Sequence, residues 1–250
     1  MSVILEVENL THKFSNGFTV IKEVNLQVKT GEFIIIAGPN GSGKTVLIKH
    51  FNGLLLPTKG RVLLHGQPIT KDLLFARQRI GLVFQNSDSQ IVGQTVVEDV
   101  AFGPENLCLS RAEVEERVER ALQVLDLTHL SQARPYTLSG GLKRRLAIAG
   151  ILAMAPQIIV FDEPFTGLDY SGVIQVLKQI ITLHQKGHTI VVVTHDLEKI
   201  LAHADRLVIV NKGRIVRDGK PGEIIDEVEE FEIRKPYGKQ RRVETMTWLS

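Results

Sequence analysis

Cysteine is almost missing from this chain. Cys108 stands alone in 250 residues, so no intrachain disulfide can form, and a reducing compartment suits it. Long apolar runs are missing as well. Phe33–Ala37, 158–161 and 190–193 have the length of strands, and even 146–156 falls far short of the roughly 20 residues a membrane span needs. The opening residues Met1-Ser2-Val3-Ile4-Leu5-Glu6 have no basic region followed by an apolar core, so no signal peptide is expected. Neither sign of charge is in excess. Thirty basic residues against 28 acidic ones are too even to advertise nucleic acid or an acidic surface as a partner. Sustained heptads, internal duplication and low-complexity segments are also absent. Together these absences predict a soluble, cytosolic chain that remains free to dock on a membrane protein.

What is present is enough for a core. With 43% hydrophobic residues the chain can bury a sizeable α/β domain, alone or with a subdomain. Residues 3–10 and 20–28 alternate apolar and polar, as half-buried antiparallel strands do, and Asn16-Gly17 between them signals a turn. Phe33–Ala37 begins a buried sheet, with further short strands at 61–64 and 80–84. From 95 to 126 the texture is helical and more charged, and Ser110-Arg111-Ala112-Glu113 reads as a capping box. A second helix is expected from Ser139 to Pro156. Strand–helix alternation then returns at 158–161, 172–185 and 189–194, and 206–210 with 214–216 forms a hairpin. The expected build is an α/β core with a β layer in front and a mostly helical insert at about 87–155. In the tail, an acidic run at 226–232 meets a basic run at 234–242 ahead of Trp248. A loosely packed extension is the plainer expectation and a docking segment the sharper one.

The chemistry starts at Gly38-Pro39-Asn40-Gly41-Ser42-Gly43-Lys44-Thr45. A buried strand precedes it and the helix-like Val46-Leu47-Ile48-Lys49-His50-Phe51 follows, the context a G-x-x-x-x-G-K-[ST] phosphate loop requires. Its glycines let successive N–H groups point at one anion, Lys44 reaches terminal phosphates, and Thr45 holds Mg²⁺. At 158–163, four apolar residues deliver Asp162 and Glu163 to a strand end. Asp162 can stand beside the Mg²⁺ of Thr45, while Glu163 faces the other way to polarise a water. Alone, such a pair is an ordinary strand edge. Three further features have equally plain readings: Ser139-Gly140-Gly141 as helix capping or an anion site, His195 as a cap or a hydrogen-bond partner of a terminal phosphate, Gln85 as a loop residue or a ligand of Mg²⁺ or water.

In their order along the chain, Gly38 to Thr45, Gln85, 138–142, 158–163, Gly167-Leu168-Asp169 and His195 resemble the complete motif set of an ATP-binding cassette (ABC) ATPase over residues 3–225. The resemblance implies a P-loop NTPase core with an antiparallel β subdomain and a helical subdomain, occupying 1–225 ahead of a charged extension at 226–250. It implies two chains arranged head to tail, with each ATP held between the phosphate loop of one and Ser139-Gly140-Gly141 of the other. Phe14 takes the place of the aromatic that stacks on adenine, and Asp169 that of the residue coupling the two sites. Val46 departs from the hydroxyl residue usual near the α-phosphate, Leu142 from the usual signature glutamine, and Tyr170 from the usual proline.

Within that family, only residues 46–137 separate the phosphate loop from the signature, and they lack the coiled coil of DNA-maintenance ATPases. A single cassette sets the chain apart from the translation-type enzymes. The stretch 85–106, with Gln-Asn-x-Asp-x-Gln-Ile-Val and Glu-Asp-Val-Ala-Phe-Gly, resembles energy-coupling factor ATPases. Another importer class and a soluble mechanical ATPase are the alternatives. The resemblance implies a second ATPase subunit, a membrane scaffold subunit and a substrate-binding membrane subunit as partners, with vitamins or cobalt or nickel ions as cargo. The location it implies is peripheral, on the cytoplasmic face of a bacterial membrane. It also puts 86–94 on the surface that receives the scaffold, with Ile91 and Val92 as exposed apolar groups.

Overall fold

The structure is a computed structural model that describes residues 2–236 and 243–249. Two sheets carry it. Strands β1 (Val3–Lys13), β2 (Thr19–Lys29), β4 (Lys59–Leu64) and β5 (Gln67–Pro68) form an antiparallel sheet in the order β2-β1-β4-β5. The Asn16-Gly17 turn forms as expected: the Asn16 side chain accepts from Phe18 N at 3.0 Å, and Gly17 supplies the positive φ of 87°. The second sheet comprises β3 (Phe33–Ala37), β6 (Ile80–Val83), β7 (Ile158–Asp162), β8 (Thr189–Val193), β9 (Arg206–Asn211) and β10 (Arg214–Gly219). Their order is β10-β9-β3-β8-β7-β6. Only the β9–β10 hairpin in this sheet is antiparallel.

The parallel strands are buried on both faces, which is why they read as unbroken apolar runs. The period of two then divides their side chains between two cores. Phe33 and Ile35, Ile159 and Phe161, and Ile190 and Val192 face the helical side. Ile34 and Ile36, Ile158 and Val160, and Val191 and Val193 face the antiparallel sheet, with α1 (Lys44–Phe51) packed among them through Leu47, Ile48 and Phe51. Each such residue is worth about 1.5–3 kcal/mol relative to exposure.

Around this frame lie α2 (Leu73–Arg79), α3 (Val96–Asn106), α4 (Arg111–Val124), α5 (Gly140–Ala153), α6 (Tyr170–Gln185) and α7 (Pro221–Ile224). On α6, Val173, Val176, Leu177, Ile180 and Leu183 form the buried stripe of an amphipathic helix. The reciprocal capping box lies at α3, where Thr95 and Glu98 satisfy each other's backbone. At α4 the expected box is only half made. Ser110 accepts from Glu113 N, but the Glu113 carboxylate is drawn one turn on to Arg117, 2.7 Å away.

The tail departs from the loosely packed extension expected of it. Ile225, Val228, Ile233 and Met246 are buried in the helical-side core, and the acidic side chains ride on its outer face. Residues 237–242 of the basic run lie outside the described residues.

Candidate functional site

Parallel strands deliver their C-terminal ends to one edge, and loops leaving neighbouring strands there converge. Along β3-β8-β7-β6 those loops carry Gly38 to Gly43, His195, Glu163 and Gln85. A cleft of about 410 Å³ opens among them, lined by Asn40, Gly41, Gly43, Lys44, Thr45, Val46, Gln85, Glu163 and His195. Val20 and Thr166 line it too. Neither carried any signal in the sequence, since Val20 reads as a strand residue and Thr166 as a loop hydroxyl.

The loop has the shape its glycines require. Gly43 sits at φ 104°, and a Cβ there would lie 2.8 Å from Ile21 Cδ1. At Gly38 a Cβ would press against the Val210 carbonyl oxygen at 2.1 Å, so any side chain would push the loop off β9. Ser42 is buried, and its hydroxyl finds no hydrogen-bond partner among the described residues. An unsatisfied buried hydroxyl inside a phosphate loop fits an anion supplied from outside the chain. Lys44 is not exposed, as a free phosphate ligand would be. It is 6% accessible, and its ammonium donates to the carbonyls of Gly38 at 2.7 Å and Pro39 at 2.9 Å. Burial pushes its pKa down, against the pull of the Glu163 and Asp162 carboxylates.

The two adjacent carboxylates part company as the strand end predicts. Asp162 meets the Thr45 hydroxyl, 3.1 Å from Oδ1 and 3.0 Å from Oδ2. Burial raises its pKa, and the Thr45 hydrogen bond opposes that rise. Glu163 adopts φ 47°, a left-handed conformation few side chains accept. Its N–H donates to Val193 O at 2.9 Å, and its Oε1 lies 2.9 Å from His195 Nδ1. The Glu163 side chain is 12% exposed and that of His195 47%, so the carboxylate is the more sheltered of the two where they line the cleft.

Gln85 is held by a residue the sequence reading missed. Arg144, in α5, donates Nη1 to the Phe84 carbonyl and Nη2 to that of Gln85 at 2.6 Å, while Lys143 reaches Asp88 at 2.7 Å. The available signal was three consecutive cations, Lys143-Arg144-Arg145, in a helix whose middle must be buried. Arg144 is 3% accessible, and burial depresses its pKa.

Ser139, Gly140 and Gly141 are elsewhere. Ser139 caps α5, accepting from Leu142 N at 3.4 Å, and with the two glycines it lines a second cleft of about 590 Å³. Asp169, at the head of α6, belongs to that cleft and caps its own helix through Gly172 N at 2.8 Å. The two clefts share no lining residue. One chain therefore brings the signature glycines to Asp169 and not to Lys44.

Phe14 lies outside the cleft lining, 39% exposed beside His12, with ring centres 5.0 Å apart. Histidines link it to the phosphate-loop helix. His12 Nδ1 and His50 Nε2 are 3.0 Å apart, and His50 Nδ1 donates to the Val46 carbonyl at 2.7 Å. His50 is fully buried, which pushes its pKa from 6.5 down to about 4. A histidine whose folded pKa lies below its unfolded value favours folding fully above pH 6.5. That stability is lost as pH falls from 6.5 toward 4. Between pH 7 and pH 5 the loss is about 2 kcal/mol, and His50→Leu should remove about that much of the pH dependence. Urea unfolding of both proteins at the two pH values measures it; identical slopes would mean His50 is not the group responsible.

With this geometry in hand, similarity to known proteins can be placed on it. The family model for ABC transporters matches residues 21–166. The energy-coupling factor transporter ATP-binding protein EcfA of Methanocaldococcus jannaschii is 46% identical over 243 residues, covering 96% of this chain and 86% of that protein. EcfA1 of Caldanaerobacter subterraneus is 46% identical over 237 residues, 92% of this chain and 85% of its own length. The solved structure of CbiO1 from Clostridium perfringens, described as part of the ABC transporter complex cbiONQ, aligns with a TM-score of 0.83. It is 37% identical and covers 92% of this chain and 93% of that one. Methanocaldococcus and several other of these relatives are archaeal, so the similarity does not single out a bacterial source. No helix among the described residues is long and apolar enough to cross a membrane. The chain belongs to the ABC transporter ATP-binding subunits, in their energy-coupling factor (EcfA) branch.

Proposed function

We propose that this chain binds Mg-ATP between two head-to-tail ATPase subunits, identical or homologous, and that hydrolysis there drives an energy-coupling factor importer. The observation that carries the reading is the separation of the two clefts. The first has the phosphate loop, the Glu163 carboxylate and His195 but lacks a signature. The second has the signature glycines and Asp169 but lacks a phosphate loop. A second chain turned head to tail completes both, adding helix N-termini aimed at phosphate where other P-loop enzymes use an arginine.

At the first cleft, Gly38, Pro39, Asn40, Gly41, Ser42, Gly43, Lys44, Thr45 and Val46 form the cradle for the phosphates, and Phe14, outside the cleft lining, is the aromatic offered to the base. Asp162, Thr45 and Gln85 offer hard oxygen donors, the set Mg²⁺ takes alongside phosphate. When bound, Mg²⁺ would neutralise charge developing on the β- and γ-phosphates. Glu163 accepts a proton from water as its oxygen attacks the γ-phosphorus and the bond to the bridging oxygen breaks, giving ADP and phosphate. His195, oriented by Glu163, presents its outer ring nitrogen to the γ-phosphate. Residues 1–225 serve as the ATPase unit, with the helical insert at about 87–155, and 226–250 as an extension.

The remaining partners are the membrane scaffold and substrate-binding subunits, which place the chain peripherally on the cytoplasmic face. The proposed cargo is a vitamin or a cobalt or nickel ion. A cleft of about 600 Å³, lined by Asp88, Ile91, Gly93, Gln94, Thr95, Arg134, Pro135 and Tyr136, is the surface offered to the scaffold. Val92 stands at its rim with 59% exposure, held outward because Asp99 Oδ1 accepts from Val92 N at 2.7 Å and Gly93 N at 2.9 Å. Ile91, by contrast, packs partly against the core. Val92→Asp should therefore leave melting temperature and basal ATPase within about 20% of wild type while abolishing capture of co-expressed membrane subunits and transport. Ile91→Asp should also lower stability, by about 1–3 kcal/mol. Undiminished co-purification of the Val92 variant would rule out this surface.

A further inference from the structure

The chain's end lies against the catalytic edge in a way the family reading does not use. Main-chain bonds tie 246–248 to the turn just downstream of His195: Ala202 N donates to Met246 O at 3.1 Å, and Trp248 N to Lys199 O at 3.3 Å. His203 Nε2 and Thr247 Oγ1 are 2.9 Å apart, and Met246 is buried beneath them. Lys199 is the centre of the contact. Its side chain is 12% exposed, and its ammonium lies 2.5 Å from Asp196 Oδ2, 4.9 Å from the Trp248 ring centre and 5.8 Å from that of Phe165. Trp248 also meets Tyr170, with ring centres 5.5 Å apart and planes tilted by 32°.

Three of the neighbours of Lys199 and Trp248 are one or two residues from a site group. Phe165 follows Glu163 by two, Asp196 follows His195 directly, and Tyr170 follows Asp169 directly. A cation held between two aromatic faces and a carboxylate has little freedom, and each contact is worth enough to hold a short turn in place. Were the tail only covering apolar surface, the ammonium would be superfluous, because a methionine stem would pack as well.

We propose that Lys199 and Trp248 are positioning residues for hydrolysis. They fix the His195 turn and the Asp169–Tyr170 corner relative to Glu163, so the C-terminal strap sets the rate of the chemical step without touching nucleotide. The inference rests on Glu163 and His195 being the hydrolytic pair.

The test uses the full chain purified with its ATPase partner. Trp248→Ala and Lys199→Met should each lower kcat about tenfold, with the KM for ATP changed by less than about twofold. Trp248→Phe, which keeps an aromatic face, should return kcat to within about twofold of wild type. Trp248 is the sole tryptophan of this chain, so in the full chain purified by itself its emission reports on the strap alone and should change when Mg-ATP is added to Glu163→Gln protein. Should Trp248→Ala fail to fold, Lys199→Met decides, since it keeps the packed stem and removes only the charge. Wild-type kcat in Lys199→Met, a loss confined to KM, or a silent tryptophan would each overturn the proposal. If Glu163→Gln hydrolysed ATP at the wild-type rate, the underlying catalytic reading would fall with it. An inactive Glu163→Gln beside an unaffected Lys199→Met would overturn the strap alone.

Discussion

Glu163→Gln is expected to bind Mg-ATP with near wild-type affinity while hydrolysing it about 10²- to 10⁴-fold more slowly, the range a positioned general base supplies. The substitution is nearly isosteric, and the scaffold that holds the side chain survives it. The Glu163 N–H still donates to Val193 O at 2.9 Å, and the amide oxygen can still meet His195 Nδ1, now 2.9 Å from Oε1. What is lost is the ability to take a proton. Asp162 is not a substitute, since both its oxygens already lie within 3.1 Å of the Thr45 hydroxyl on the far side of the strand end. Because uncleaved ATP would bridge the two half-sites, the variant should also accumulate as an ATP-dependent dimer. Single-turnover assays and size-exclusion chromatography with and without ATP measure the two effects. Wild-type turnover would remove Glu163 from the role of base, and a monomer that retains ATP would count against the head-to-tail arrangement.

The convergence of these loops at one sheet edge could be read from the sequence because its parts are local. A phosphate loop is one strand end and one helix start, and β7 announces Asp162 and Glu163 by four apolar residues in a row. Periodicity likewise foretold β1, β2 and α6, whose buried faces follow from alternation or helical spacing alone. What stayed hidden depends on contacts far apart in the chain. Arg144 reaches carbonyls at Phe84 and Gln85, 60 and 59 residues away, and nothing near Arg144 points to them. The His12–His50 pair joins residues 38 apart. The tail misled for another reason. Its charges are real, but Val228 and Met246 among them are spaced for burial against a surface the tail does not itself contain. Ile91 and Val92 looked alike in sequence, and the Asp99 side chain, by capping the backbone at Val92 and Gly93, turns one inward and the other out.

Lys44→Ala should weaken ATP binding by about 30- to 4,000-fold, the effect of about 2–5 kcal/mol for removing one partner of a buried charge pair. Stability is where the structure changes the expectation. An exposed lysine serving phosphate alone would melt unaltered when truncated, but Lys44 is buried and bonded to the Gly38 and Pro39 carbonyls. Removing it leaves the Gly38 carbonyl short of a donor and takes away a cation whose charge acts on Glu163 and Asp162. Against that, the cost of burying the ammonium itself disappears. The two effects oppose, so the net loss should not exceed about 2 kcal/mol, roughly 4–8 °C in melting temperature for a chain of this size. Lys44→Met, which restores the apolar stem without the charge, should recover part of the melt and none of the affinity. Nucleotide titration and thermal melts on all three proteins test this together. Tight ATP binding by either variant would refute the phosphate-loop role, whereas recovery of both stability and affinity in Lys44→Met would show that the stem, and not the charge, is what the loop requires.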